Sequence, residues 1–454
     1  MVDSMASSVE DYLIEGLSFK LNPGASYVSD RRSVSYFPSG SNIYQAGSGA
    51  RVIRVNLTGD GWLDPSTVRV QYTLVNNDAT TAKSLRVLSG PWSFFRRARC
   101  MVGGAIVDDV DYYNRVHEML HILTSKGKRD NDSIEGFGSR WDDDALYNTW
   151  ASASGLANSA TIPGGSAKPV SFKPLFGLLN QPKYIPLMWS PLMFEFEVVN
   201  GATDAIAGGK ASFRYDLGTN TSQNWQIQDV RIVCDVVTLD SALQNSYAEH
   251  VLSGKALPIN YGSYISQFQS ITATDFAVSV TRAVSRLKSV FINFDGTHPE
   301  DASATDDAQF FHRSFNTFMS PMTNAKFSGG DYDFNKEFQW QLQIGSKMFP
   351  EFPCRSMAET FYQLQKALGI HGSAFHSLSI TPAQYRNDHF IIGVDTEKIL
   401  EAGFTGLNTK SGDLMVVRGK GANANLPSWA TNIYIILHTD QILEIRDTGC
   451  QVFD

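Results

Sequence analysis

The sequence predicts an all-β chain of two tandem sandwiches with short helices in the connections. Three observations carry that prediction: two-residue alternation recurs along the chain, the composition suits sheet with long polar loops, and one structural unit occurs twice. The alternation is plainest where Phe338, Trp340, Leu342 and Ile344 interleave with Glu337, Gln339, Gln341 and Gln343. Such a strand turns one face to a core and the other to water. The composition, 12% aromatic and 19% charged with 36 glycines, favours sheet joined by polar loops.

The repeated unit runs over Phe338 to Gly369 and, earlier, over Phe94 to Gly127. In the later copy Gly345 stops the strand and a loop bounded by Pro350 and Pro353 follows. Ser356 with Glu359 then forms a capping box that satisfies orphan amides at a helix start. Met357, Phe361, Leu364 and Leu368 fall at helical spacing, Lys366 suits the negative end of the dipole, and Gly369 offers a left-handed cap. The earlier copy reads as a strand from Ser93 to Val102, a turn at Gly103 and Gly104, a cap at Asp111, and a helix from Tyr112 to Leu123 ended by Gly127. Two such units imply two similar domains.

Inside the earlier helix lies His117-Glu118-Met119-Leu120-His121, which matches H-E-x-x-H. Residues i and i+4 share a helix face, so His117 and His121 are placed to grip Zn²⁺ while Glu118 activates water. A third ligand at a recognised spacing is missing: Thr124 and Gly127 do not continue the longer zinc motif, and Glu135 is too near. The second copy has Tyr362 and Lys366 at the aligned positions, so a packing helix is the more economical reading. No catalytic, cofactor-binding or metal-binding residue is assigned, and no cofactor is expected.

Taken in order, the chain divides into an N-terminal arm (1–29), a first sandwich (30–240), a linker helix (241–258) and a second sandwich (259–454). Within the arm, Val9, Tyr12, Leu13 and Leu17 lie at helical spacing before Pro23-Gly24, which suits either a packed terminus or a partner-binding segment. Ile53, Val55 and Leu57 alternate, as do Val68, Val70, Tyr72 and Leu74, which gives antiparallel strands with one wet face. Arg96, Arg97 and Arg99 form a basic knot suited to phosphate or, more commonly, to carboxylates across a sheet.

Lys126 to Lys173 reads as a long polar excursion that includes Trp141-Asp142-Asp143-Asp144 and the run Ser152 to Gly165. Strand pattern returns from Lys183 to Asn200. Trp225 and Ile227 stand in one phase and Val230, Ile232, Cys234 and Val236 in the other, so a bulge is expected near Asp229. Asp240 caps a helix lined by Leu243, Tyr247 and Val251, stopped by Gly254 and barred from resuming by Pro258. The second half repeats the habit: Phe276 to Val280, Val290 to Phe294, an acidic loop from Asp295 to Asp307, the repeated unit, Phe390 to Val394, an excursion from Gly403 to Pro427, and Ile433 to Thr439.

Composition bounds function. No apolar run approaches the length of a membrane span, and the N-terminus lacks a signal peptide's basic and apolar regions, so synthesis inside the cell is expected. Cys100, Cys234, Cys354 and Cys450 are scattered with no C-x-x-C pair, the pattern of free thiols. A net charge of −8 argues against a dedicated nucleic-acid coat. No phosphate loop, nucleophile elbow or dinucleotide fingerprint is present.

Two sandwiches of about 200 residues with helix-bearing connections have the layout of a double jelly roll, two tandem eight-stranded jelly-roll sandwiches. Several stretches are similar to one family. Asp30 to Phe37, leading to Gly59-Asp-Gly-Trp-Leu-Asp-Pro65, then Asn180-Gln-Pro-Lys-Tyr-Ile-Pro-Leu187 and Phe338 to Gly345, resemble the major capsid proteins of polinton-like viruses and virophages, within the wider double jelly-roll lineage of tailless double-stranded DNA viruses.

The resemblance implies a non-enzymatic virion protein, assembled inside the host cell. Its homotrimers form pseudo-hexagonal capsomers of an icosahedral shell. It also implies neighbouring capsomers, penton and minor capsid proteins as partners, a minor protein, a neighbouring trimer or an internal membrane as the contact of residues 1–22 at the inner face, and no direct sequence-specific nucleic acid. Lys126 to Lys173 and Gly403 to Pro427 become the expected outer loops. The competing functions are a jelly-roll glycan- or receptor-binding attachment protein, using Trp141 and Trp150, and a zinc hydrolase built on His117, Glu118 and His121.

Overall fold

A computed structural model describes residues 27–454 apart from 48–49, 88, 138–160, 207–221, 274, 296–317, 319–320, 322–337, 373–377, 388, 400–402, 411 and 422–431. The arm's helical stretch, Trp141, Trp150 and nearly all of the acidic loop after Asp295 therefore lie outside the described residues.

The first sandwich contains β1 (Val28–Tyr36), β2 (Ile43–Tyr44), β3 (Val52–Leu57), β4 (Trp62–Leu63), β5 (Arg69–Asn76), β6 (Leu85–Arg86), β7 (Phe95–Val102), β8 (Ala105–Val110), β9 (Thr161–Ile162), β10 (Ala167–Phe172), β11 (Ile185–Pro186), β12 (Leu192–Val198) and β13 (Trp225–Leu239). The second contains β14 (Leu257–Ser270), β15 (Asp275–Val280), β16 (Leu287–Asp295), β17 (Phe338–Ile344), β18 (Lys347–Cys354), β19 (Ile391–Asp395), β20 (Met415–Gly421), β21 (Asn432–Arg446) and β22 (Gly449–Phe453). The helices are α1 (Tyr113–Ile122), α2 (Lys126–Glu135), α3 (Ser241–Leu252), α4 (Met357–Ala367) and α5 (Pro382–Asn387).

Both halves are wound the same way. In the first, a sheet of order β1-β13-β5-β10 faces one of order β3-β12-β7-β8; in the second, β14-β21-β16-β19 faces β15-β20-β17-β18. Each half thus visits its two sheets in the same sequence, with β2, β4, β11 and β22 as short additions. Alternation drives the packing: β17 buries Phe338, Trp340, Leu342 and Ile344 and leaves its glutamines half-exposed. Aromatic rings bridge the sheets, with Tyr72 to Phe95 at 5.8 Å in the first sandwich and Phe294 to Phe338 at 5.6 Å in the second.

Several expectations are met in detail. Asp229 takes φ +52° and the β13–β5 register shifts between Gln228 and Arg231, which is the anticipated bulge. Asp240 caps α3 by accepting from the Ala242 amide. At α4 the capping box forms, with the Ser356 hydroxyl accepting from the Glu359 amide while the Glu359 carboxylate accepts from the Ser356 amide. Gly369 at φ +69° then lets the Ile370 amide reach the Gln365 carbonyl and its own amide the Lys366 carbonyl, a Schellman cap.

Others are corrected. The Pro350–Pro353 segment is a strand, β18, not a loop, because it sits at a sheet edge where a missing N–H breaks no ladder. The Lys126–Lys173 excursion opens as a helix, α2, capped by Ser125 and braced by Lys126–Asp130 and Lys128–Asp132 pairs one turn apart, so Gly127 lies inside a helix. The cap of α1 is Tyr112, held left-handed at φ +49°, while the Asp111 carboxylate accepts from the neighbouring Tyr112 amide rather than from the helix's first turn. Strand β20 lies inside the Gly403–Pro427 excursion, its short apolar run Met415-Val416-Val417 hidden among polar residues and glycines. Ser93 belongs to a 3₁₀ turn, Pro91–Phe94, ahead of β7.

Replacing Ser356 with Ala removes one side of the capping box and is expected to cost about 1 kcal/mol. Hydrogen exchange localised to the first turn of α4 is the measurement; unchanged exchange there would contradict the assignment.

Candidate functional site: the seam between the two sandwiches

The two sandwiches meet along a polar seam laid over a continuous apolar core. Strand β8 ends one sheet of the first half and β14 ends one sheet of the second, so each brings an unpaired edge. Side chains close the gap. The Ser263 hydroxyl donates to Asp108 at 2.6 Å, the Ser266 hydroxyl donates to the Asp111 carbonyl, and the Tyr261 hydroxyl lies 3.1 Å from the Val107 carbonyl and 2.7 Å from Gln441 Oε1. At the 3₁₀ turn Gly177–Asn180, Gly177 passes so near the second sandwich that a Cβ on it would stand 1.5 Å from the Gly262 carbonyl oxygen.

Asp108 is 1% exposed and anchors this contact. Burial pushes its carboxyl from the ordinary 3.8 up to about 6, against the hydrogen bonds from Ser263 and the Leu178 and Gly177 amides. A β-bulge opposite Cys100 and Met101 shifts the phase of β8, which buries Asp108 and exposes Ile106.

Arg115 forms the second anchor. It leaves α1 and is also 1% exposed, with Nε donating to Asn293 Oδ1 at 2.8 Å and a terminal nitrogen donating to the Phe294 carbonyl at 3.0 Å. Its guanidinium lies 4.2 Å above the Tyr434 ring. Burial lowers its pKa and nearby Asp295 opposes that shift. Helix α1 reaches β16 at Asn293 and Phe294, and that strand is buried over nearly its whole length rather than on alternate residues.

The H-E-x-x-H side chains are committed to packing. Glu118 is fully buried and accepts from the Ser89 hydroxyl and from the Trp92 indole at 2.9 Å. The His117 ring stacks on the same indole at 4.1 Å, and its Nε2 lies 3.3 Å from the Lys173 carbonyl. His121 packs on Trp92 at 4.7 Å with Nδ1 3.8 Å from Asp132 on α2. Among the described residues, no third His, Cys, Asp or Glu completes a metal-holding group with this pair. The arrangement ties α1 to the Pro91–Phe94 turn. Burial, with His121 adding to it, lowers the His117 pKa to about 3, and burial lowers that of His438 similarly.

The arginine knot faces carboxylates. Arg97 binds Asp109 through two hydrogen bonds, at 2.8 and 2.7 Å, Arg99 lies 3.2 Å from Glu195, and Arg96 lies 3.9 Å from Asp111.

No protein-family model and no curated protein sequence matches the chain. Solved structures do. The crystal structure of PBCV-1 VP54, as fitted into a cryo-EM reconstruction of the virophage Sputnik, aligns over 96% of this chain and 99% of its own at 11% identity, with a TM-score of 0.58. The Faustovirus major capsid protein aligns over 95% and 94% at 9% identity, TM-score 0.55, and the Sputnik virophage structure over 96% and 90% at 11% identity, TM-score 0.54. The fold is a double jelly roll. With the chain order of the strands common to both halves, this double jelly roll accounts for both sandwiches over nearly their full length.

Asp108 and Arg115 escaped the sequence reading. The only trace of Asp108 is an aspartate in phase with core positions, and Arg115 resembles any polar helix residue until its partners 178 and 179 positions away are known.

Two pH dependences follow, of opposite sign. Asp108 binds its proton more tightly folded than unfolded, so it costs stability as pH rises from about 4 to about 6. Asp108→Asn is expected to gain up to roughly 3 kcal/mol relative to the parent between pH 4 and pH 7. His117 binds its proton less tightly folded, so stability drains as pH falls from 6.5 toward 3. His117→Phe is expected to gain on the parent as pH falls through that window. Denaturant unfolding of each variant and the parent across pH 4 to 7 checks both signs.

Proposed function

We propose that the protein is the major capsid protein of an icosahedral double-stranded DNA virus. Three copies form a pseudo-hexagonal capsomer, and the protein resides in the virion shell. The single observation that carries this reading is the pair of sandwiches with one strand order, which three viral capsid structures match over nearly their whole length. Two like rolls per chain make three chains a ring of six like rolls, a shape that tiles a hexagonal lattice. The seam supports this role, since a building block must keep its two rolls in fixed register while the outer faces choose neighbours. Neighbouring capsomers, penton proteins and minor capsid proteins are the partners the reading implies.

The work is assembly rather than catalysis. Burial of Glu118 against Ser89 and Trp92 favours a structural motif over a water-activating one. Engagement of Arg97 and Arg99 by carboxylates favours a shell that does not hold the genome directly.

Purified protein is expected to run near three times 50.1 kDa and to give six-cornered particles by electron microscopy. A stable monomer that forms no lattice would overturn the proposal. Stoichiometric zinc, lost on replacing His117 and His121, would overturn its non-catalytic part.

A further inference from the structure

Beneath α3, where the chain crosses from the first roll to the second, lies an apolar cavity of about 490 Å³. Trp62, Tyr184, Leu243, Tyr247, Leu257 and Ile445 line it. Three exposed apolar residues lie beside it, Tyr27 and Val28 through their pairing with Asp240 and Leu239 and Met188 through its contact with Gln244 of α3. Helix α3 itself buries only Val251 of its 12 residues. A helix that short gains most of its stability from covering an apolar face, so the cavity and the helix both lack a cover among the described residues.

The chain itself points to the occupant. The Tyr27 carbonyl accepts from the Asp240 amide at 2.9 Å, and Val28 pairs with Leu239, which also lines the cavity. The N-terminal segment therefore departs from the cavity's rim. In its sequence Val9, Tyr12, Leu13 and Leu17 stand at helical spacing, an apolar pattern of the right character. From Leu17 to Tyr27 the chain reaches as far as about 33 Å, and a helix over 9–17 is roughly 13 Å long, so a return to the cavity is well within span. Charge agrees: the segment carries Asp3, Glu10, Asp11 and Glu15 against Lys20 alone, and Lys183 stands in the cavity wall.

We propose that residues 9–17 fold back within the same chain and seat Val9, Tyr12, Leu13 and Leu17 in the cavity under α3, making a third contact across the joint between the rolls. The inference does not depend on the capsid reading.

Hydrogen exchange on the full-length protein tests it. The amides of 9–17 are expected to exchange at least about tenfold slower than an unstructured chain, and both Leu13→Asp and Leu243→Asp are expected to abolish that protection. Leu13→Asp changes no residue of either sheet pair, so its effect is not one of failed folding. A zero-length carbodiimide applied to a mixture of ¹⁴N and ¹⁵N protein is expected to join Glu10, Asp11 or Glu15 to Lys183 within single-isotope products. Fast exchange over 9–17 in the parent, protection that survives Leu243→Asp, or crosslinks that mix isotopes would each overturn the proposal.

Discussion

The backbone of the first roll runs against that of the second at Gly177 and Gly262 with no room for a side chain between them. Everything else in the seam depends on that approach. It brings the Gly177 and Leu178 amides to Asp108 and sets β14 where Ser263 can donate to the same carboxylate. Asp108 and Arg115 do not pair with each other. Asp108 accepts from neutral donors, and Arg115 donates to neutral acceptors with Asp295 nearby, so removing those partners leaves a buried charge poorly compensated. Such contacts add little net stability, because desolvation offsets most of what the hydrogen bonds contribute. They do penalise any other register of the two rolls.

A duplicated winding with a fused seam explains why the halves differ at their edges and agree at their centres. The strands β13, β5 and β12, β7 have counterparts in β21, β16 and β20, β17 at the same places in the sheets. The first roll adds short strands where it meets the linker, and the second adds β22, whose Cys450 lies against the β7–β8 turn. Covering β8 and β14 with each other removes two edges that would otherwise invite pairing with a foreign strand.

How much of this was legible follows from the range of the interactions. Strand β17, the capping box of α4, the bulge at Asp229 and helix α3 are set by neighbours in sequence, and alternation or spacing reveals them. Strand β18 was hidden because prolines are compatible with an edge that sequence cannot identify as one. Strand β14 and the far end of β21 gave no signal, since the mixed pattern of β14 reflects contact with the other roll rather than with water. The seam residues were unreadable for the same reason. The H-E-x-x-H motif shows how little a short pattern fixes: its spacing fits zinc chemistry, while in the fold Trp92 packs against both imidazoles and the Glu118 carboxylate accepts from Ser89 and Trp92.

Two rolls that share one continuous apolar core are held in a single register by close backbone contact at the seam. Hydrogen exchange of a Gly177→Val variant measures it most directly. The account predicts faster exchange along β8, β14 and the 3₁₀ turn after Phe176, with the interior strands β5 and β16 remaining slow. Unchanged protection at the seam, or loss of protection throughout both rolls at once, would contradict it.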